Sequence, residues 1–281
     1  DTFPKYLLAH AERIGGRPAM RHKDYGIWQT WSWADQLREV RTFALGLQDL
    51  GLAHGERIAI VGSNRPRLYW AIAAAQSLGA IPVPVYADAV ADELAYVLNN
   101  ASVRFAVVQD QEQVDKIQSF AKDIPHLEHI IFDEPRGLRD YSRDRLHDFV
   151  DVQSKGAALL AADPALGERW EKAVRSASGD DVSVMLYTSG TTGRSKGVMI
   201  KASHAVAAAH DTVVFDQLTE HDSVLAYLPL AWVGDHYLNY AQGCVSGFCV
   251  NCPEAAGTVT ADMREIGPTY YFAPPRVYEN L

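Results

Sequence analysis

The chain has 281 residues, 48% of them hydrophobic, enough for one large core or two modest ones. Its formal net charge of −9 argues against a nucleic-acid partner, which would need a basic face. It contains no apolar run of the roughly 18 residues that a membrane-spanning helix requires.

Taken in chain order, helix and strand signals alternate. Ser32 caps a helix with Trp33, Leu37, Val40, Ala44 and Leu47 on its apolar face, and Gly51 stops it. Residues 57–61 read as a short strand. Asn64-Arg65-Pro66 then opens a helix over 68–78 that is apolar nearly all round, hence buried, and Gly79 ends it. Pro82 and Pro84 confine the strand 81–85 to an edge or make it irregular. Leu94, Val97 and Leu98 mark the next helix face, followed by a strand over 104–108. Asp110 and Gln113 form a capping-box pattern before a helix carrying Val114 and Ile117, and 130–132 is a further strand.

Between 133 and 181 the pattern dissolves into mixed charge, which reads as a solvated surface excursion. Beyond it come an apolar strand over 182–186, a polar loop, and a second apolar run over 198–200. A helix opened by Ser203, a strand over 224–228 and a helix over 234–241 follow. Cys244, Cys249 and Cys252 lie in one segment. They lack a fourth ligand for a metal, so Cys249 and Cys252 read as small packing residues of a strand over 248–252. Val259, Met263 and Ile266 give a last helix face closed by Gly267-Pro268, with a strand over 270–272 after it. Strands separated by single helices predict an α/β fold, with mostly parallel sheets flanked by helices on both faces. The expected division is a first α/β subdomain over 1–178, including the charged excursion, and a second over 179–281 that carries the loop.

That loop, residues 187–197, reads Tyr-Thr-Ser-Gly-Thr-Thr-Gly-Arg-Ser-Lys-Gly. Gly190, Gly193 and Gly197 let consecutive N–H groups turn toward one point, a concavity that suits anions. The hydroxyls of Thr188, Ser189, Thr191, Thr192 and Ser195 add donors, and Lys196 adds a point charge suited to phosphate. A plain Gly/Ser/Thr connector would explain neither the lysine nor the flanking apolar runs. A P-loop would need its lysine directly after a glycine and opening a helix, whereas Lys196 precedes Gly197 and an apolar run. The expected form is strand–loop–strand.

In these residues the chain resembles the adenylate-forming enzymes, which include acyl-CoA synthetases, luciferases and peptide-synthetase adenylation domains. Residues 188–193 with Lys196-Gly197 match their Thr-Ser-Gly-Thr-Thr-Gly…Lys-Gly signature, Ser195 standing where proline is frequent. Leu228-Pro229-Leu230-Ala231 looks like the family's next motif. Residues 268–279, ending Ala-Pro-Pro-Arg-Val-Tyr-Glu, and residues 79–86 resemble the long-chain fatty acyl-CoA synthetases.

The resemblance implies ATP-dependent conversion of a fatty acid to acyl-adenylate and pyrophosphate, then to acyl-CoA and AMP when coenzyme A attacks. ATP, Mg2+ and coenzyme A are the implied cofactor and substrates. Ser189, Gly190, Thr191, Thr192, Gly193 and Lys196 would hold phosphates, with Thr188 as nucleotide contact and Mg2+ ligand. Trp232 stands where many relatives carry histidine; it reads equally as an acyl-site aromatic or as a core residue before a helix. His236 beside Asp235 reads as ordinary surface, since adjacent helix residues face apart, and His204 and His210 read as structural or exposed. Relatives carry further magnesium, ribose and lid motifs absent from these 281 residues, so a fragment without ligase turnover is the expectation. A cytoplasmic setting follows from the cysteine usage. A hydrophobic substrate makes peripheral membrane contact conceivable, and the oligomeric state stays open, a homodimer included.

Overall fold

A computed structural model describes residues 1–188 and 194–273. The chain opens with α1 (Phe3–Ile14) and a hairpin, β1 (Pro18–Asp24) and β2 (Ile27–Ser32). Then come α2 (Trp33–Asp49), β3 (Arg57–Val61), α3 (Pro66–Ser77), β4 (Ile81–Val85), α4 (Ala91–Asn100), β5 (Phe105–Val108), α5 (Gln111–Ser119) and β6 (His129–Phe132). β7 (Leu146–Asp148), α6 (Phe149–Ala162) and α7 (Ala165–Ser176) precede the hairpin β8 (Val182–Thr188) and β9 (Lys196–Lys201). After α8 (Ala202–Phe215) and β10 (Ser223–Leu225), a single α turn, α9 (Val233–Asp235), runs into a π-helical turn (His236–Ala241) and α10 (Gln242–Ser246). β11 (Cys249–Cys252) and α11 (Val259–Ile266) follow.

Local chemistry accounts for the helix ends. Ser32 and Asp35 form a reciprocal capping box at the start of α2, each satisfying a backbone donor of the other. Asp110 accepts from the Gln113 amide as expected, but the Gln113 side chain reaches Ala87 O instead of closing the box.

β3 to β7 form an all-parallel sheet in the order β4-β3-β5-β6-β7. β4, with its two prolines, lies at the edge, where missing N–H groups cost no ladder bonds. Alternate residues face two separate cores. Ile58, Ile60, Phe105, Val107 and Ile131 point toward α2, α3 and α6, whereas Ala59, Val61, Ala106, Val108 and Phe132 meet α4 and α5. A sheet covered on both faces explains why these strands read as unbroken apolar runs.

Two expectations fail here. The stretch 133–181 is no solvated excursion: it contributes β7 to the parallel sheet and α6 to the core. Phe149, which opens α6, stacks on Phe43 of α2 at 3.9 Å between centroids. Residues 270–272 form no strand; Thr269 and Tyr270 merely donate to Ser223 O beside β10. The hairpin β1–β2 was not foreseen, and it joins a second sheet in the order β10-β11-β1-β2. That sheet spans the division at 178/179, because Met20 pairs with Val250 in parallel. Lys23 of β1 clamps the arrangement through Asp262 (2.9 Å) and Glu265 (2.7 Å) of α11.

Candidate active site

The loop is carried by an antiparallel hairpin, as its flanking apolar runs predict. β8 buries Val184 and Leu186 and is tied to α3 by Gln76, whose amide donates to Ser183 O (2.9 Å) and Oγ (3.1 Å). In the ladder Thr188 lies directly opposite Lys196, so the expected hydroxyl and ammonium leave the hairpin side by side, both exposed. Lys196 opens a strand, not a helix, which excludes the P-loop arrangement. Ser189, Gly190, Thr191, Thr192 and Gly193 lie outside the described residues, as does the segment 274–281.

Sequence reasoning found α4 by its apolar face but missed that it steadies this hairpin. From α4, Tyr96 Oη donates to Ser195 O (3.0 Å), and Asn100 Oδ1 accepts from Tyr187 Oη (2.6 Å). The Arg194 guanidinium lies 5.0 Å above the Tyr96 ring. Partial burial pushes the Tyr187 hydroxyl up to about 12, so it stays a protonated donor. Only the tertiary placement of α4 reveals these roles, since Tyr96 sits unmarked beside an ordinary apolar helix face.

Thr188 and Ser195 share a cleft of about 500 Å³ with Trp232 and Val233; Pro84, Val85, Ala89, Val97 and Leu186 make the rest mostly apolar, and Glu93 is its carboxylate. Trp232 is half-buried, its ring centroid 6.3 Å from that of Phe272. It folds back over Gly234, where a Cβ would come within 2.0 Å of the indole. The cleft therefore sets hydroxyls of the hairpin beside mostly apolar side chains.

The reading of Asp235 and His236 as surface is wrong; both are buried, and they face different partners. Asp235 accepts from Asn64, Tyr69 and Asn239, whereas His236 packs against Phe3 and Tyr240. Desolvation without a cation pushes the Asp235 carboxyl up to about 7, and burial holds His236 down to about 4. His204 and His210 are exposed. The three cysteines are free and buried, and no cluster of three or more metal-ligating side chains occurs among the described residues.

The fold recurs in solved structures. The luciferase-like enzyme of the Zophobas morio mealworm superposes with a TM-score of 0.76 at 16% identity, over 95% of this chain and 58% of its own. The N-terminal domain of FACL13 from Mycobacterium tuberculosis, solved with an inhibitor, gives 0.71 at 20%, over 95% and 61%. Among curated sequences, the long-chain-fatty-acid–CoA ligase ACSBG2 of Rattus norvegicus is 28% identical over the whole chain, which spans 42% of that protein's length. The AMP-binding enzyme model matches residues 7–281, and the chain belongs to that family.

Proposed function

We propose that this chain supplies the ATP-binding hairpin and part of the acid cleft of an acid–thiol ligase that activates a long-chain fatty acid. The observation carrying this reading is the pairing of Lys196 with Thr188, which lines a mostly apolar cleft together with Trp232. A fatty carboxylate is already ionised near neutral pH, so the first step needs no general base. The obstacle is bringing an anion to a polyanion, which calls for positioning and charge neutralisation. Lys196, with the amides of Gly190 to Gly193, would hold the β- and γ-phosphates while a carboxylate oxygen attacks the α-phosphorus and pyrophosphate leaves. In the second step the thiol of coenzyme A would attack the acyl carbon, lose its proton and release AMP.

Thr188 offers one hydroxyl oxygen, a donor suited to a hard cation that takes its other ligands from phosphate and water, as Mg2+ does. Bound there, Mg2+ would offset phosphate charge. The relatives named fatty acid–CoA ligases support the acyl class, and the apolar cleft walls agree with it.

The test is acid-dependent exchange of labelled pyrophosphate into ATP by the full gene product, over a panel of acids. Long-chain acids should support exchange best. Lys196→Ala should lower it by about 10²-fold, the scale of losing one preorganised charge contact in a transition state. Gly193→Val should abolish it. Variants that exchange like wild type would remove the hairpin from the chemistry.

A further inference from the structure

We propose that Asp235 is a positioning residue that holds the Trp232–Val233 wall of the cleft in place, and that it does so only as a carboxylate. Its Oδ1 accepts from Asn64 Nδ2 (2.7 Å), Tyr69 Oη (2.9 Å) and Asn239 Nδ2 (2.7 Å), and Oδ2 lies 2.9 Å from the same Tyr69 Oη. Asn64 follows β3 and Tyr69 lies in α3, so two of the three donors belong to the frame of the parallel sheet. Asn239 lies one turn on, inside the π-helical segment, a widened turn often found at functional sites. The carboxylate thus pins the start of this helix to the sheet. Trp232 is the cap of that start, and its indole rests on Gly234, directly before Asp235 in the chain.

All three partners present donors. A neutral acid adds an O–H with nothing to receive it unless Tyr69 gives up its own donation, so protonation breaks a set that ionisation satisfies. The titratable groups facing Asp235 are Tyr69 from α3 and Cys252 from β11, and burial raises both well above their usual values, leaving them neutral. His236, next in the chain, is kept neutral by burial and turns its ring to Phe3 and Tyr240. No cation pairs with Asp235 among the described residues. Asp235 is therefore the group here whose charge changes near neutral pH.

The consequence for the cleft rests on the function proposed above; the consequence for Trp232 does not. The Trp232 emission, taken as wild type minus Trp232→Phe, should change with a midpoint near pH 7. In an Asp235→Asn background the same difference should be flat. Tyr69→Phe keeps the ring and removes one donor to the carboxylate, so it should move the midpoint upward without the risk of misfolding that Asp235→Asn carries. A pH-independent Trp232 signal in wild type, or a midpoint indifferent to Tyr69→Phe, overturns the proposal. In the full gene product, Asp235→Asn should raise KM for the acid at least tenfold and KM for ATP less than twofold. Equal effects on both would also overturn it. If wild type exchanges pyrophosphate with no acid, the functional reading fails and the fluorescence arm alone decides the role of Asp235.

Discussion

Replacing Gly156 with alanine should destabilise the protein, although alanine favours a helix interior by about 1 kcal/mol. A Cβ at Gly156 on α6 would lie 1.9 Å from the Thr42 carbonyl oxygen of α2 and 2.7 Å from Gly46 N. From the other side, a Cβ at Gly46 would lie 2.1 Å from Val152 O. The obstructing atoms are backbone, so no rotamer change relieves the clash. Ordinary contact begins near 3.4 Å, which forces the helices apart by about 1.5 Å. That movement opens the Phe43–Phe149 stack and the core around Val152. Overpacking of this kind costs up to about 3 kcal/mol, and the propensity gain reduces the net to about 2 kcal/mol. In a chain of this size the expected drop in Tm is about 4–8 °C, read by circular dichroism. Gly257→Ala, with no atom within 4 Å of the new Cβ, should stay within about 0.5 kcal/mol of wild type. Gly46→Ala added to Gly156→Ala should cost less than the sum, because the helices have already parted. If Gly156→Ala melted at or above wild type, the close helix approach would be wrong.

Asp235 should also mark the pH dependence of global stability. Its carboxyl, pushed up to about 7 against a usual 3.8, holds a proton in the folded state that the unfolded chain has released. Stability from this group is therefore complete below pH 4 and lost as pH rises through 7, by about 4 kcal/mol in order of magnitude. His236 acts oppositely, since its stabilising neutral form is lost as pH falls from 6.5 toward 4. The difference in urea midpoint between wild type and Asp235→Asn, taken at pH 5 and 7.5, isolates the first; no change in that difference would refute it. Burial pushes the Cys244 thiol up to about 12 and the Cys249 thiol up to about 11. A thiol reagent should accordingly label the folded protein only as fast as it opens, and rapid labelling at pH 7 would contradict this packing.

Much of this architecture was legible because its determinants are local. The Ser32 cap, the proline pair of β4 and the apolar strands flanking the loop each carry their own signal. The misses share a different physics. Residues 133–181 hide β7 and α6 because α6 buries only Phe149, Val152 and Gly156 of its 14 residues, too sparse an apolar stripe to stand out among the surrounding charges. β1 and β2 went unread because β1 buries only three of its seven residues, Lys23 among them, and β2, at the sheet edge, buries none. At the candidate site, Thr188, Lys196 and Trp232 could be named from the motif, but Tyr96 and Asn100 could not, since nothing local distinguishes them. Asp235 was misjudged by the rule for adjacent helix residues. The two do face apart as that rule requires, yet both directions are interior.

The pairing of β1 with β11 has a consequence for biogenesis. Arg21 and Asn251 are 230 residues apart, so at ribosomal speeds the hairpin emerges roughly 10–50 s before the strand it abuts. The parallel sheet needs nothing beyond residue 148 for its strands, and it is free to assemble in the interval. For that time the free edge of β1 offers an open row of amides and carbonyls to any other nascent strand. Codon-level pausing after residue 148 would lengthen that exposure.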